Sequence, residues 1–260
     1  MKVRVGVFFG GRSVEHEVSI ISALQAVKAF DVSKYDVVPV YVTRDNRFYI
    51  GEDIGKIEEY RNIPELLKKS VRVVPAGEAG RLNLIKYPEH FFGGKVYDYV
   101  DIAFPIVHGT NSEDGSIQGL FNFLGVPYAG CDVLSSAVGM DKYAAKTILS
   151  ANGIPVVDGV KIEFKKFLED SENTIAALEQ RLRYPLIVKP VNLGSSIGIR
   201  KAGDRQSLLD AMEYAFRYSP FVLIENVVEN LREINCAVLG DYSEAEASEC
   251  EEPVGSADDV

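Results

Sequence analysis

Three short stretches set polar and charged residues at the ends of apolar runs. The first is Gly10-Gly11-Arg12-Ser13-Val14-Glu15-His16-Glu17-Val18-Ser19. Two glycines after an apolar run permit a tight backbone turn. The start of a following helix exposes unpaired N–H groups that suit an anion or a carboxylate. Glu15 stands at that turn beside His16. It reads either as a carboxylate that holds an ammonium group or as a first-turn acid favoured by the helix dipole. The second stretch is His108-Gly109-Thr110-Asn111-Ser112-Glu113-Asp114-Gly115-Ser116-Ile117-Gln118-Gly119. A dense polar loop at the end of a buried strand is where α/β proteins put ligand contacts. His108 alone would read as a structural histidine; in this company it reads as a site residue. The third is Lys189-Pro190-Val191-Asn192-Leu193-Gly194-Ser195-Ser196-Ile197-Gly198. A lysine leaving an apolar strand ahead of such a loop is a candidate phosphate grip. Lys supplies a point charge, and loop N–H and hydroxyl groups supply directed donors. The alternative is a β-hairpin with an exposed lysine. It is not a Walker A loop, in which the Lys-Ser/Thr pair directly precedes a helix; here a strand is expected.

The elements that position these stretches follow from apolar periodicity. Residues 3–9 and 35–42 read as buried strands around a helix whose apolar positions include Val18, Ile21, Ala26 and Phe30. This β–turn–α–β opening predicts a parallel sheet with helices on its faces. Residues 51–97 mix short strands with a helix around 64–69. Residues 100–107 form another strand. The helix after it carries Ile117, Leu120, Phe121 and Leu124 on one face. Asp141 caps a further helix that ends near Asn152-Gly153. Beyond it, strands are expected at 156–164, 186–189, 197–200, 221–225 and 233–239, and helices at 168–183 and 204–217. The second helix turns Leu208, Leu209, Met212 and Phe216 inward. This is an antiparallel α+β layer. Three modules result: 1–130, 131–226 and 227–260.

The net charge is −10, which argues against general nucleic-acid binding, since that needs a basic surface. The three cysteines, Cys131, Cys236 and Cys250, are widely spaced and form no CxxC pair. They fit reduced thiols in a reducing compartment. No signal-peptide layout or membrane-length apolar run is evident. The expectation is a cytoplasmic protein.

Taken together, the three stretches resemble the D-alanine–D-alanine ligase family. GGRSVEHEVS is similar to the family's N-terminal motif, and HGTNSEDGSIQG to its HGxxGEDGxxQG motif, with Ser112 in place of the usual Gly. Met140-Asp141-Lys142 and residues 188–198 are similar to its ATP-grasp elements, and residues 224–240 to its hinge segment. The motifs keep the family's order over nearly the whole chain.

The resemblance implies an α/β N-terminal domain followed by an α+β ATP-grasp domain that is incomplete at its C-terminus. It implies ADP-forming ligation of two D-alanines through an acyl phosphate, for peptidoglycan precursor synthesis. ATP and Mg²⁺ or Mn²⁺ are the implied cofactors, and a homodimer through the N-terminal domain is the implied assembly. Glu15 and Ser195 are the implied catalytic pair, with Glu15, His108 and Ser195 around the first D-alanine. Lys142, Lys189, Ser196, Glu225 and Glu233 are implied for ATP: Lys142 and Lys189 on phosphates, Ser196 in the closing loop, Glu225 beside adenine and Glu233 on ribose. Glu233-Ile234-Asn235 imitates the family's metal-binding Glu-x-Asn but lies too early for it, so no metal ligand is assigned. The acids Glu244, Glu246, Glu249, Glu251, Glu252, Asp258 and Asp259 do not reproduce the ligand set either. The expectation is therefore little turnover by these 260 residues as they stand. A D-serine- or D-lactate-using ligase and a non-catalytic ATP- or D-alanine-binding remnant stay open as alternatives.

Overall fold

The computed structural model describes residues 2–88 and 96–253. Contacts divide the chain into two compact units, Met1–Ile148 with Asn192–Ser195, and Leu149–Val191 with Ser196–Val260.

The first unit begins with β1 (Val3–Gly10), α1 (His16–Ala29), β2 (Tyr35–Val42) and β3 (Phe48–Ile50), followed by α2 (Ile63–Lys69), β4 (Val71–Glu78) and β5 (Arg81–Lys86). It continues with β6 (Val96–Val100), β7 (Ile102–Val107), α3 (Ser116–Phe123), α4 (Val133–Met140) and α5 (Lys142–Ala151). The sheet order is β6-β5-β4-β3-β2-β1-β7. Only β2, β1 and β7 run parallel; β3 to β6 are antiparallel to their neighbours. The expected parallel sheet is thus a mixed one. Short connections such as the turn between β4 and β5 can join only antiparallel neighbours, while a parallel pair needs a crossover such as α1.

β1 is buried on both faces, as a central strand covered on each side must be. Phe8 packs with Val40, Val100 and Phe121 on one side, and Val7 and Phe9 with Ile20, Ala23 and Leu24 on the other. The face of α1 that does this differs from the expected one: Val18 and Ile21 are about half exposed, at 53% and 51%. Asp141 caps α5 as expected, accepting the N–H groups of Tyr143 and Ala144 at 2.9 and 2.8 Å. α4, capped by Asp132 on the N–H of Ser135 at 2.7 Å, was not legible from periodicity. Contacts group α4 and most of α5 with the first unit, past residue 130.

The second unit contains β8 (Gly159–Glu163), α6 (Phe164–Glu169), α7 (Ser171–Arg181), β9 (Leu186–Pro190), β10 (Arg200–Ala202), α8 (Arg205–Ala215) and β11 (Phe221–Asn226). The antiparallel sheet β10-β9-β11-β8 carries a core of Leu186, Val188, Val222 and Ile224 against Leu208, Met212 and Leu178. The single helix expected at 168–183 is two, because Asp170 leaves helical geometry and caps α7 on Asn173. The strand expected at 197–200 starts only at Arg200. β12 (Val238–Gly240) and β13 (Ala245–Ala247) form a small exposed hairpin in place of the strand expected at 233–239. Among the described residues, no helix is long and apolar enough to cross a membrane.

Candidate functional site

In the first unit the turn after β1 is fixed before Glu15 is placed. Gly10 has φ +93°, and a Cβ there would lie 2.3 Å from the carbonyl oxygen of Val42, so only glycine fits. Ser19 ties three elements together: its hydroxyl donates to the carbonyl of Ile106 at 2.6 Å and accepts the N–H of Gly10 at 2.7 Å. His16, next to Glu15 in sequence, is buried at 1% exposure. Its Nδ1 meets the carbonyl of Gly11 at 2.7 Å, and its Nε2 the hydroxyl of Tyr41 at 2.9 Å. A carbonyl only accepts, so Nδ1 carries the proton and Nε2 accepts from Tyr41.

Glu15 occupies the N-cap position of α1, yet its side chain makes no capping hydrogen bond. The first-turn acid of that helix is Glu17, held by Arg44 at 2.7 Å to both carboxylate oxygens and lowered below the usual carboxylate range by that contact. The Glu15 carboxylate turns toward the loops. Its Oε1 accepts the hydroxyl of Ser195. Its Oε2 is buried without a hydrogen-bond partner. Gly109 lies so close that a Cβ there would come within 2.5 Å of Oε2, and one at Gly194 would stand 3.4 Å from both oxygens.

His108 sits at the mouth of the same loop. Its Nε2 meets Ser22 Oγ at 2.7 Å, and its Nδ1 is 3.4 Å from Glu113 Oε1. Glu113 Oε2 accepts the N–H of Gly109 at 2.8 Å. Asn111, at φ +63°, donates its side-chain amide to the carbonyl of Arg12 at 3.0 Å, so the first and second stretches are stitched together. Lys142 donates to the carbonyl of Leu193, which sits in the third stretch. Ser195 and Ser196 both hold positive φ, +51° and +54°. Such residues persist only where surroundings impose them, and they concentrate at working sites. An unpaired carboxylate oxygen away from water is costly unless a donor meets it. The arrangement therefore suits an N–H-bearing cation.

In the second unit, Lys189 and Glu225 share one face of the β9–β11 pair, with Lys189 directly opposite Leu223. Lys189 Nζ stands 2.8 Å from Glu225 Oε2, the two side chains being 25% and 2% exposed. The lysine is therefore a partly shielded cation ahead of the loop that follows β9. Ser196 is exposed in that loop. Glu233 is exposed on irregular backbone. Asn235 pairs with Glu251 by two backbone hydrogen bonds, 2.8 and 2.9 Å. Arg232 binds Glu252 at 2.7 Å. Glu244, Glu246 and Glu249 are exposed, and Asp258 and Asp259 lie outside the described residues. Among the described residues no three His, Cys, Asp or Glu side chains stand together as metal ligands.

The sequence reading missed the anchors of His108, Ser22 and Glu113, and the partnership of Lys189 with Glu225. Glu113 carries a signal, being an acid inside the polar loop; Ser22 is found only through helix packing, and the ion pair of Glu225 with Lys189 only through strand register.

Comparison with known proteins bears on both units. Residues 4–131 match the family model described as D-ala D-ala ligase N-terminus, and residues 148–258 the one described as D-ala D-ala ligase C-terminus. The chain is 38% identical to the D-alanine--D-alanine ligase of Thermosipho melanesiensis, over 96% of this chain and 66% of that protein. It is 42% identical to that of Acetivibrio thermocellus, over 92% and 65%. It thus spans just under two thirds of these relatives. Among solved structures, the D-alanine-D-alanine ligase from Coxiella burnetii superposes with a TM-score of 0.82 at 32% identity, covering 96% of this chain and 68% of that one. The VanG D-Ala:D-Ser ligase from Enterococcus faecalis gives 0.80 at 33%, covering 97% and 70%.

Proposed function

Because this chain belongs to the D-alanine–D-alanine ligase family, we propose that it serves the ATP-dependent, ADP-forming ligation of two D-alanines for peptidoglycan precursor synthesis. The observation that carries this reading is the buried, unpartnered Oε2 of Glu15. An amino-acid ammonium supplies the donor that this oxygen lacks. Ser195 orients the carboxylate from its other oxygen, and His108, braced by Ser22 and Glu113, borders the same subsite. With the ammonium so held, the substrate carboxylate is free to react.

In the proposed reaction a carboxylate oxygen of the first D-alanine attacks the γ-phosphorus of ATP. The bond from phosphorus to the ADP oxygen breaks and an acyl phosphate forms. The amine nitrogen of the second D-alanine then attacks the acyl carbon, the carbon–oxygen bond to phosphate breaks, and the amine proton leaves. Lys142 and Lys189 offset charge on the phosphates, and this kind of catalysis is mainly positioning and electrostatics. Ser196 belongs to the loop over the phosphates, Glu225 borders the adenine and Glu233 the ribose. Magnesium, where bound, neutralises phosphate charge.

We assign residues 1–130, 131–226 and 227–260 to an N-terminal lobe, a central lobe and the start of a third. A cytoplasmic setting suits the three exposed free thiols. Two copies pair through the N-terminal lobe, and sedimentation equilibrium yielding only monomer at high concentration would remove that assignment.

Glu15→Gln tests the reading. The amide keeps the shape and loses the charge. A charge-assisted hydrogen bond is worth roughly 1.5–3 kcal/mol, so D-alanine affinity falls about tenfold to a hundredfold and ATP affinity holds. Titration of the chain and its variant by NMR, with D-serine and D-lactate in parallel, measures this. Equal D-alanine binding by both would return Glu15 to the role of a helix-start acid.

A further inference from the structure

The polar loop that holds His108 also walls a second cavity, inside the first unit and lined by neither Glu15 nor Ser195. It is a solvent-open cavity of about 600 Å³ between the end of β7, the 108–113 part of the loop, α3 and α4. Its shape follows from a close approach: a Cβ at Gly115 would lie 2.7 Å from the carbonyl oxygen of Val133, so glycine lets the loop meet the start of α4. This is the size range of small-molecule sites, roughly 300–1,000 Å³.

One side chain marks the cavity as more than a packing gap. Gln118, on α3, is only 7% exposed and lines it. Its Oε1 is buried and has no hydrogen-bond partner. Such a group is costly to leave unsatisfied, and water or a ligand normally meets it. The second polar wall is Glu113, a carboxylate that already accepts from Gly109 and faces His108. Phe104, Cys131 and Met140 supply apolar and polarisable surface. Neither Lys nor Arg contributes to the lining. Two acceptors, the adaptable hydroxyls of Ser112, Ser135 and Ser136, His108, an apolar wall and no Lys or Arg favour a ligand that donates N–H bonds over an anion.

We propose that this cavity binds a small amine, its ammonium directed at Gln118 Oε1 and the Glu113 carboxylate and its compact apolar body against Phe104 and Met140. The cavity shares His108 and Glu113 with the border of the proposed D-alanine subsite but none of Glu15 or Ser195, and its test uses neither nucleotide nor D-alanine, so it can fail while the ligase reading stands.

Cys131 serves as the reporter, because it is a free thiol in the wall. Cys236 and Cys250, exposed in the second unit, are internal controls. Tryptamine is the probe, and indole-3-acetate is the same body with an anionic head. Carbamidomethylation of each cysteine is followed by mass spectrometry. Tryptamine slows Cys131 by about tenfold at ten times its dissociation constant, as single-site occupancy requires, and leaves Cys236 and Cys250 unchanged. Indole-3-acetate leaves all three unchanged. Gln118→Leu removes the protection. So does Gly139→Leu, a substitution that fills the cavity from α4: a Cβ at Gly139 meets nothing within 4 Å, and leucine favours the helix over glycine. Protection by indole-3-acetate equal to that by tryptamine, protection that survives both substitutions, or no protection by tryptamine at its solubility limit would each overturn the proposal.

Discussion

Replacing Lys189 by Ala removes a cation that faces Glu225 Oε2 across the β9–β11 pair at 2.8 Å. If that ammonium grips a phosphate, its loss costs roughly 1.5–3 kcal/mol of ATP binding, about tenfold to a hundredfold in affinity, while D-alanine binding to the first unit is unchanged. Calorimetry with ATP on the two proteins checks this; equal affinities would leave Lys189 as a structural partner of Glu225 alone. Single residues were legible where a charge ends an apolar run, as Glu15 and Lys189 do. The pairing of Glu15 with Ser195, 180 positions away, came only through the family resemblance and is met by the hydrogen bond between them, whereas the pairing of Lys189 with Glu225 was not foreseen. His16 shows the opposite case. Adjacent to Glu15 in sequence, it is turned into the core, where the carbonyl of Gly11 and the hydroxyl of Tyr41 satisfy both ring nitrogens.

At the level of elements, α1 was legible as a helix but not in its orientation. The apolar positions Val18 and Ile21 face outward, and the buried stripe is His16, Ser19, Ile20, Ala23 and Leu24. Two polar residues stand in that stripe because each answers a backbone group that the turn leaves open. Ser19 is wholly buried and bonds both β1 and β7. Ser19→Ala strands the N–H of Gly10 and the carbonyl of Ile106, which should destabilise the first unit by about 1–3 kcal/mol. Chemical denaturation with an unchanged slope would measure the loss. A change below a few tenths of a kcal/mol would show that the turn holds without this hydroxyl. The split of α6 from α7 at Asp170 also escaped periodicity, since a cap on Asn173 can restart a helix without altering the apolar spacing.

For the molecule as a whole, buried phenols set a limit at high pH. Burial pushes Tyr41 up to about 12 and raises Tyr60 in the first unit. In the second, burial and the Glu179 carboxylate push Tyr184 up to about 12. An unfolded tyrosine titrates near 10. Between about pH 10 and 12 the unfolded chain releases protons that the folded chain keeps, so it binds fewer, and stability falls as pH rises. The contribution is fully present below about pH 10 and is lost through about pH 12. Tyrosinate absorbance and circular dichroism, followed together, should show part of the 13 tyrosines ionising only as structure is lost. Titration of all of them near pH 10 with intact structure would contradict this.

By itself the sequence determined the alternation of strands and helices, the three polar stretches at strand ends, and the family, because local apolar spacing and short ordered motifs are properties of neighbours along the chain. Tertiary structure decided the rest. The mixed sheet order β6-β5-β4-β3-β2-β1-β7, the face α1 buries and the pairing of Lys189 with Glu225 all depend on strand register and on contacts between distant segments. No local pattern encodes these, since the same residue spacing is compatible with several registers and helix rotations. Burial and hydrogen-bond satisfaction select among them only once the sheet is assembled.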